Sequence, residues 1–174
     1  MSLLCFATLA SALGTGLVAG TFFAFSTFVM KALGNLPPPH GIAAMQSINV
    51  VVINPGFMTA FLGTGLACVV LLIASLLRWQ DPATPYLLSG SVVYLLGTIL
   101  VTMLFNVPRN DALAAVAPAT PEATALWASY LSRWTAWNHV RTIAALAASA
   151  LFTIAFRLQA LSQSIRGRQA RGPA

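Results

Sequence analysis

The sequence predicts an all-α integral membrane protein: a four-helix bundle with an extra outer helix-loop between spans three and four. Three observations carry this. Of 174 residues, 58% are hydrophobic and 7% charged, against roughly 25% charged in soluble domains. The apolar residues gather in four runs, each approaching the ~20 residues needed to cross hydrocarbon. The runs lack the strict alternation of barrel strands, which favours helices.

The first span covers about residues 3–30 and is closed by Lys31. It lacks a basic leader and stays uncharged too long for a cleaved signal, so it reads as a retained helix. Gly34-Asn-Leu-Pro-Pro-Pro-His-Gly41 is a breaker-rich segment, and residues 31–47 read as a loop. The second span, about 48–77, contains Asn54-Pro55, where proline cannot donate to the helix ladder, and ends at Arg78. Trp79 to Pro85 is a tight turn, and the third span covers about 86–105. Asn106 to Glu122 is a longer connection with Pro108, Pro118 and Pro121. Thr120-Pro-Glu has the form of a helix start, with proline first and an acid in the first turn. That helix is expected to run through Trp134 into the fourth span, about 138–156, closed by Arg157. Residues 1–157 therefore form one transmembrane domain and 158–174 a basic tail carrying Arg166, Arg168 and Arg171.

The net charge is +6, and its distribution suggests a topology. The tail and Arg78 place both termini in the cytoplasm, as in a bacterial inner membrane, with Lys31, Arg109 and Arg133 outside. The tail then meets anionic lipid headgroups. No soluble basic face is present, which excludes a nucleic-acid partner. Gly16/Gly20 and Gly63/Gly65 read as close packing of helices within the chain. Cys5 and Cys68 lie in apolar runs without a CxxC and read as small buried hydrophobes. His40 and His139 are the only histidines. Neither HxxxH nor ExxH occurs, so no metal site is expected.

Depth arithmetic sharpens the polar residues. Arg141 and Arg157 are about 16 residues apart, or ~24 Å of helix, whereas hydrocarbon is ~30 Å thick. Arg141 is thus held at or just inside the outer boundary, where it needs a partner. The same reckoning brings Asn106 and Asn54 to that level, with Gln46 and Asn49 one or two turns beyond. Trp134, Asn138 and Arg141 share a helix face by their i, i+4, i+7 spacing. The inner half shows nothing comparable, whereas a channel or carrier needs polar groups along its whole path.

Three motifs carry a family resemblance: Asn49-Val-Val-Val-Ile-Asn-Pro55, Asn106-Val-Pro-Arg-Asn-Asp-Ala-Leu113, and Trp134-Thr-Ala-Trp-Asn-His-Val-Arg-Thr142. In this order among four spans, they resemble the anthrone oxygenase-like family over nearly the whole chain. The resemblance implies oxidation of an anthrone-like substrate by molecular oxygen without a cofactor. Such chemistry needs a base, donors for an enolate oxygen and a flat apolar site. His139 suits the base, since its ordinary pKa lies near neutrality. Arg141, Asn138, Asn106 and Asn110 suit the donors, and Trp134 and Trp137 suit the walls. Asn49 and Asn54 complete the expected lining of an outer-leaflet pocket for a hydrophobic aromatic molecule.

Each residue also has a structural reading. The tryptophans can be interface anchors, and His139 can be a hydrogen-bonded structural residue. Arg141 can pair with Asp111, and the asparagines can satisfy backbone groups freed at prolines. On those readings the chain is a non-enzymatic membrane protein that binds a lipid or quinone-like molecule or supports a partner.

Overall fold

The computed structural model describes residues 2–169, with side chains described through residue 164. Within them, helix follows helix, and four are long and apolar enough to cross a membrane. Helix α1, Leu3–Gly34, begins at Ser2, whose hydroxyl accepts from Cys5 N at 3.3 Å. This is the usual capping solution for an unpaired first-turn amide. Helix α2, Pro38–Val51, starts with prolines in its first turn, where a missing N–H costs nothing. The loop expected over 31–47 is therefore mostly helix: α1 runs on to Gly34 and α2 begins four residues later.

Asn54-Pro55 is a helix boundary rather than a feature inside a span. Asn54 Oδ1 accepts from Phe57 N at 3.0 Å and caps helix α3, Pro55–Leu77. Residues 48–51, expected to open the second span, are the end of α2. Helix α4, Thr84–Ala114, outlasts the expected third span and absorbs Pro108. Its 31 residues correspond to ~46 Å, well beyond a ~30 Å core. Helix α5, Pro121–Gln169, starts where expected, with Thr120 Oγ1 accepting from Ala123 N at 3.2 Å. Residues 158–169, read as the start of a tail, continue this helix, while Arg171 lies outside the described residues.

The four spans close a ring in the order α1, α5, α4, α3, with α3 returning to α1. Close approach is set by Gly97, where an added Cβ would stand 2.5 Å from Ala144 Cβ, and by Gly14 against Thr64. The expected packing pair contributes less: Gly20 faces open space, and Gly16 only approaches Ser149.

Two cores result. One, within the bundle, includes Val18, Phe22, Leu71, Leu87, Tyr94 and Phe152. The other, at the loop end, joins α2 to the long ends of α4 and α5 through Ile42, Met45, Leu113, Trp127, Tyr130 and Trp134. Helix α2 thus lies as a lid across the loop end of the bundle, and Gln46 fastens it, donating to Leu113 O at 2.8 Å and Val116 O at 3.0 Å. Cys5 and Cys68 are buried, unbridged core residues.

Candidate functional site

Where the two cores meet, the helices are not regular. Single π turns occur at Phe25–Val29 in α1, Thr59–Gly63 in α3, and Leu95–Leu100 and Thr102–Asn106 in α4. A π turn inserts a residue and disturbs the i→i+4 ladder; such turns are rare and concentrate at functional sites. The second of the α4 turns directly precedes Pro108, which can neither donate to the Leu104 carbonyl four residues back nor avoid crowding it.

Side chains from elsewhere take up carbonyls at these irregular turns. Asn138 Nδ2 donates to Phe22 O at 2.7 Å, and Tyr94 OH donates to Phe61 O at 3.1 Å. Arg109 donates to Phe105 O within its own helix.

The irregular turns and the lid enclose a half-open cavity of about 220 Å³. Its walls are mostly apolar, with Phe22, Phe25, Phe57, Phe61, Met45 and Trp134 prominent. Polar side chains from four helices also reach it: Thr21 from α1, Asn49 from α2, Thr102 and Asn110 from α4, and Arg141 from α5. The mouth lies between α2 and α4, where a second cavity shares Asn49, Ile53, Val107 and Asn110. Its rim includes Val50, Ile53 and Val107, all exposed and apolar, together with the polar Gln46 and Asp111.

Arg141 is the centre of the site. It is 4% exposed, and its hydrogen-bond partners are neutral. Nη1 donates to Thr102 Oγ1 at 3.2 Å and Nη2 to Asn138 Oδ1 at 2.6 Å, while Nε has no partner. The guanidinium lies 4.1 Å over the Phe22 ring and 5.0 Å from the Trp134 ring, positions in which aromatic faces attract a cation. Asp111, considered as a partner on sequence grounds, is exposed at the far end of α4 and makes no hydrogen bond to Arg141.

The surrounding amides divide into two groups. Asn138, fully buried, orients Arg141 and also donates to Ser26 Oγ at 2.7 Å, tying α5 to α1. Ser26 in turn meets Thr142 Oγ1 at 3.1 Å. Asn106 Nδ2 donates to Trp134 O at 3.2 Å, and its Oδ1 has no partner. Asn110 Oδ1 accepts from both Tyr130 OH and Trp134 Nε1 at 2.8 Å, which fixes the indole as a cavity wall. With that oxygen doubly used, what Asn110 has left to offer is its NH2 donor. Asn49 lines the cavity with a buried Nδ2 that lacks a partner. Arg141 Nε, Asn49 Nδ2 and the Asn110 amide are therefore unspent donors around one apolar space.

A family model described as Anthrone oxygenase matches residues 57–151. The chain belongs to the anthrone oxygenase family. No curated protein and no solved structure matched the chain. In this anthrone oxygenase family member the matched segment holds α3, α4 and the cavity portion of α5, including Asn106, Asn110, Trp134, Asn138 and Arg141. Phe22 and Asn49 reach the same cavity from α1 and α2, outside the matched segment.

Five expected site residues do not line the cavity: Asn106 and Asn138 stand behind it, bonded to Trp134 O and to Arg141, and three lie elsewhere. His139 is exposed and does not line the cavity, because one residue beyond Asn138 turns it ~100° around the helix. Asn54 is exposed and occupied by capping, its Nδ2 donating to Val51 O at 2.9 Å. Trp137 is stacked on Phe105 with centroids 3.6 Å apart, outside the cavity. Among the described residues, no cluster of three His, Cys, Asp or Glu side chains comes together. Sequence reasoning did not find Thr102, Ser26, Thr142 or the phenylalanine walls. Depth arithmetic applied to hydroxyls would have brought the first three to the level of Arg141.

Proposed function

We propose that this chain is a membrane oxidoreductase that oxygenates a flat, hydrophobic aromatic ketone or phenol entering sideways from the bilayer. The observation that supports it best is Arg141: a guanidinium buried among aromatic rings, bonded only to neutral partners, with Nε unspent beside an apolar cavity. Burying an unpaired charge is costly, and ionisable groups at membrane depth are functional candidates by default. An oxyanion formed on a bound ligand would supply the missing counter-charge.

A cavity of ~150 Å³ lined by apolar side chains takes benzene. The cavity of about 220 Å³ therefore takes part of a fused-ring molecule, with the remainder in the mouth between α2 and α4.

On this reading the substrate loses a proton from the carbon activated by its carbonyl. Arg141, Asn49 and Asn110 hold the resulting oxyanion, which is stabilised where charge develops. The electron-rich carbon adds molecular oxygen, and the peroxide anion takes a proton back from water to give a hydroperoxide. Loss of water then leaves a new carbonyl, so that CH2 and O2 become C=O and H2O. Trp134 and the phenylalanines hold the ring plane.

His139 is not the base on this reading. The proton leaves to water at the mouth, because none of the cavity's lining side chains is a proton acceptor. That same feature favours a second reading, a non-catalytic binder of a quinone-like or lipid molecule. The loop end faces outward if the basic residues near the termini are cytoplasmic.

Oxygen uptake and quinone absorbance with anthrone, using the purified chain in lipid nanodiscs, test the proposal. The expected result is a rate well above the protein-free reaction that is lost in Arg141→Met. A rate equal to the protein-free control, with anthrone still bound, would leave the binder reading standing instead.

A further inference from the structure

At the opposite end of the bundle a second polar pocket has no part in this chemistry. A cavity of about 290 Å³ is lined by Ser2, Arg78, Asp81, Gln159, Ser162 and Gln163. It lies where the start of α1, the α3–α4 turn and the end of α5 converge, and Gln163 Nε2 donates to Ser2 Oγ at 3.2 Å across its rim. A neighbouring cavity shares Arg78, Asp81 and Ser162 and runs along Leu77 and Trp79. Those last two side chains are strongly exposed, the placement of an interfacial anchor.

Gln159 makes this more than a surface hollow. It is 6% exposed, and neither Nε2 nor Oε1 has a partner among the described residues. Buried amides are almost always hydrogen-bonded, so an orphan on both atoms calls for an explanation. The charges beside it are one of each sign; the turn holds the Asp81 carboxylate and the backbone of Arg78, whose side chain is exposed. Arg78 O accepts from Asp81 N at 3.0 Å and from Thr84 Oγ1 at 2.7 Å, and Asp81 Oδ1 accepts from Ala83 N at 2.9 Å. Asp81 therefore retains Oδ2, and Arg78 retains its guanidinium; neither makes a hydrogen bond among the described residues.

We propose that this pocket binds the headgroup of a zwitterionic phospholipid with a primary ammonium, of the phosphatidylethanolamine type. Arg78 and Gln159 Nε2 donate to the phosphate; the ammonium donates to Asp81 Oδ2 and Gln159 Oε1. Both orphan atoms of Gln159 are thereby used, one by each end of the headgroup. A lone phosphate or an anionic headgroup leaves Asp81 unmatched beside it. A choline headgroup has no N–H to give Asp81 or Gln159. The glycerol and acyl chains leave along Leu77 and Trp79 toward lipid.

The test uses the delipidated full chain in detergent and native mass spectrometry. It is titrated with dioleoyl phosphatidylethanolamine, the corresponding glycerol and choline lipids, and inorganic phosphate. The expected result is that the ethanolamine lipid binds at least about tenfold more tightly than the other two, a gap of ~1.4 kcal/mol, and that phosphate does not compete. Asp81→Asn keeps the acceptor for Ala83 N but removes the charge, and it shifts the preference to the glycerol lipid. Gln159→Leu fills the place of the orphan amide without a polar group, so it folds and loses the ethanolamine preference. Equal affinities for the three lipids, competition by phosphate, or an unchanged preference in Asp81→Asn would each overturn the assignment.

Discussion

Two faces of one helix carry the same short stretch of sequence to different ends. On one face of α5, Trp134, Asn138 and Arg141 are buried and joined to α1 and α4 around the cavity. On the rest of its circumference, Arg133 and His139 are exposed, and Trp137 lies flat on Phe105. Nine consecutive residues that look like one cluster are thus two, separated by helix phase. Polar density in a sequence locates a level in the membrane; the 100° step per residue decides which groups at that level can meet a ligand.

The contrast can be broken most severely at Arg141. Arg141→Met keeps the volume and removes the charge, and anthrone turnover is expected to fall about 10²–10³-fold, the usual loss for an oxyanion donor. Thermal unfolding in detergent should change little, because removing a buried charge without a carboxylate partner is offset by the Asn138 Oδ1 acceptor left unpaired. Arg141→Lys should also lose most activity, since an ammonium lacks the fork that reaches Thr102 and Asn138 together.

Asn138→Ala comes next. It leaves Phe22 O, Ser26 Oγ and Arg141 Nη2 without their shared partner. A stability loss of about 1–3 kcal/mol is expected for the buried groups orphaned, together with reduced turnover because Arg141 is no longer held. Denaturation and kinetics on the same preparation check both effects.

Asn110→Ala removes the acceptor shared by Tyr130 and Trp134. A smaller loss of about 1–2 kcal/mol is expected, with weaker ligand binding as the indole wall loosens. Quenching of Trp fluorescence by an anthrone analogue reports that change.

The other face should respond least. His139→Ala is expected to stay within about 0.5 kcal/mol of the parent in stability, as exposed substitutions do, and within about twofold in turnover. A large loss in His139→Ala would dissolve the distinction between the two faces.

Much of the architecture was legible because composition and length constrain it strongly. Four spans, the helix start at Thr120-Pro121 and the run of that helix into the membrane all follow from hydropathy and capping chemistry. The lid was not legible: Pro38 and Pro39 read as loop breakers, yet a first turn tolerates them, and packing of Ile42 and Met45 holds the rest as helix. Nor was the continuation of α4 through Pro108, which is accommodated by a preceding π turn whose register no hydrophobic period announces.

The site shows the same division. Arg141, Asn49, Asn110 and Trp134 could be placed at one depth from residue counting, and the structure brings them to one cavity. His139 and Asn54 met the same depth criterion but failed on azimuth and on local capping, respectively. The aromatic walls carried no signal because Phe22, Phe57 and Phe61 sit in apolar runs where phenylalanine is ordinary.

The central claim is that Arg141 holds an oxyanion formed on an aromatic ligand within the cavity. The most direct measurement is the fraction of a bound naphthol that is ionised at a fixed, mildly alkaline pH, read from its absorbance in nanodiscs containing the parent chain or Arg141→Met. A guanidinium in contact should favour the naphtholate strongly, as an opposite charge within ~4–6 Å does. The account predicts mostly anionic ligand in the parent chain and mostly neutral ligand in Arg141→Met, with His139→Ala matching the parent. An equal ionised fraction in the parent and Arg141→Met, with both binding naphthol, would contradict it.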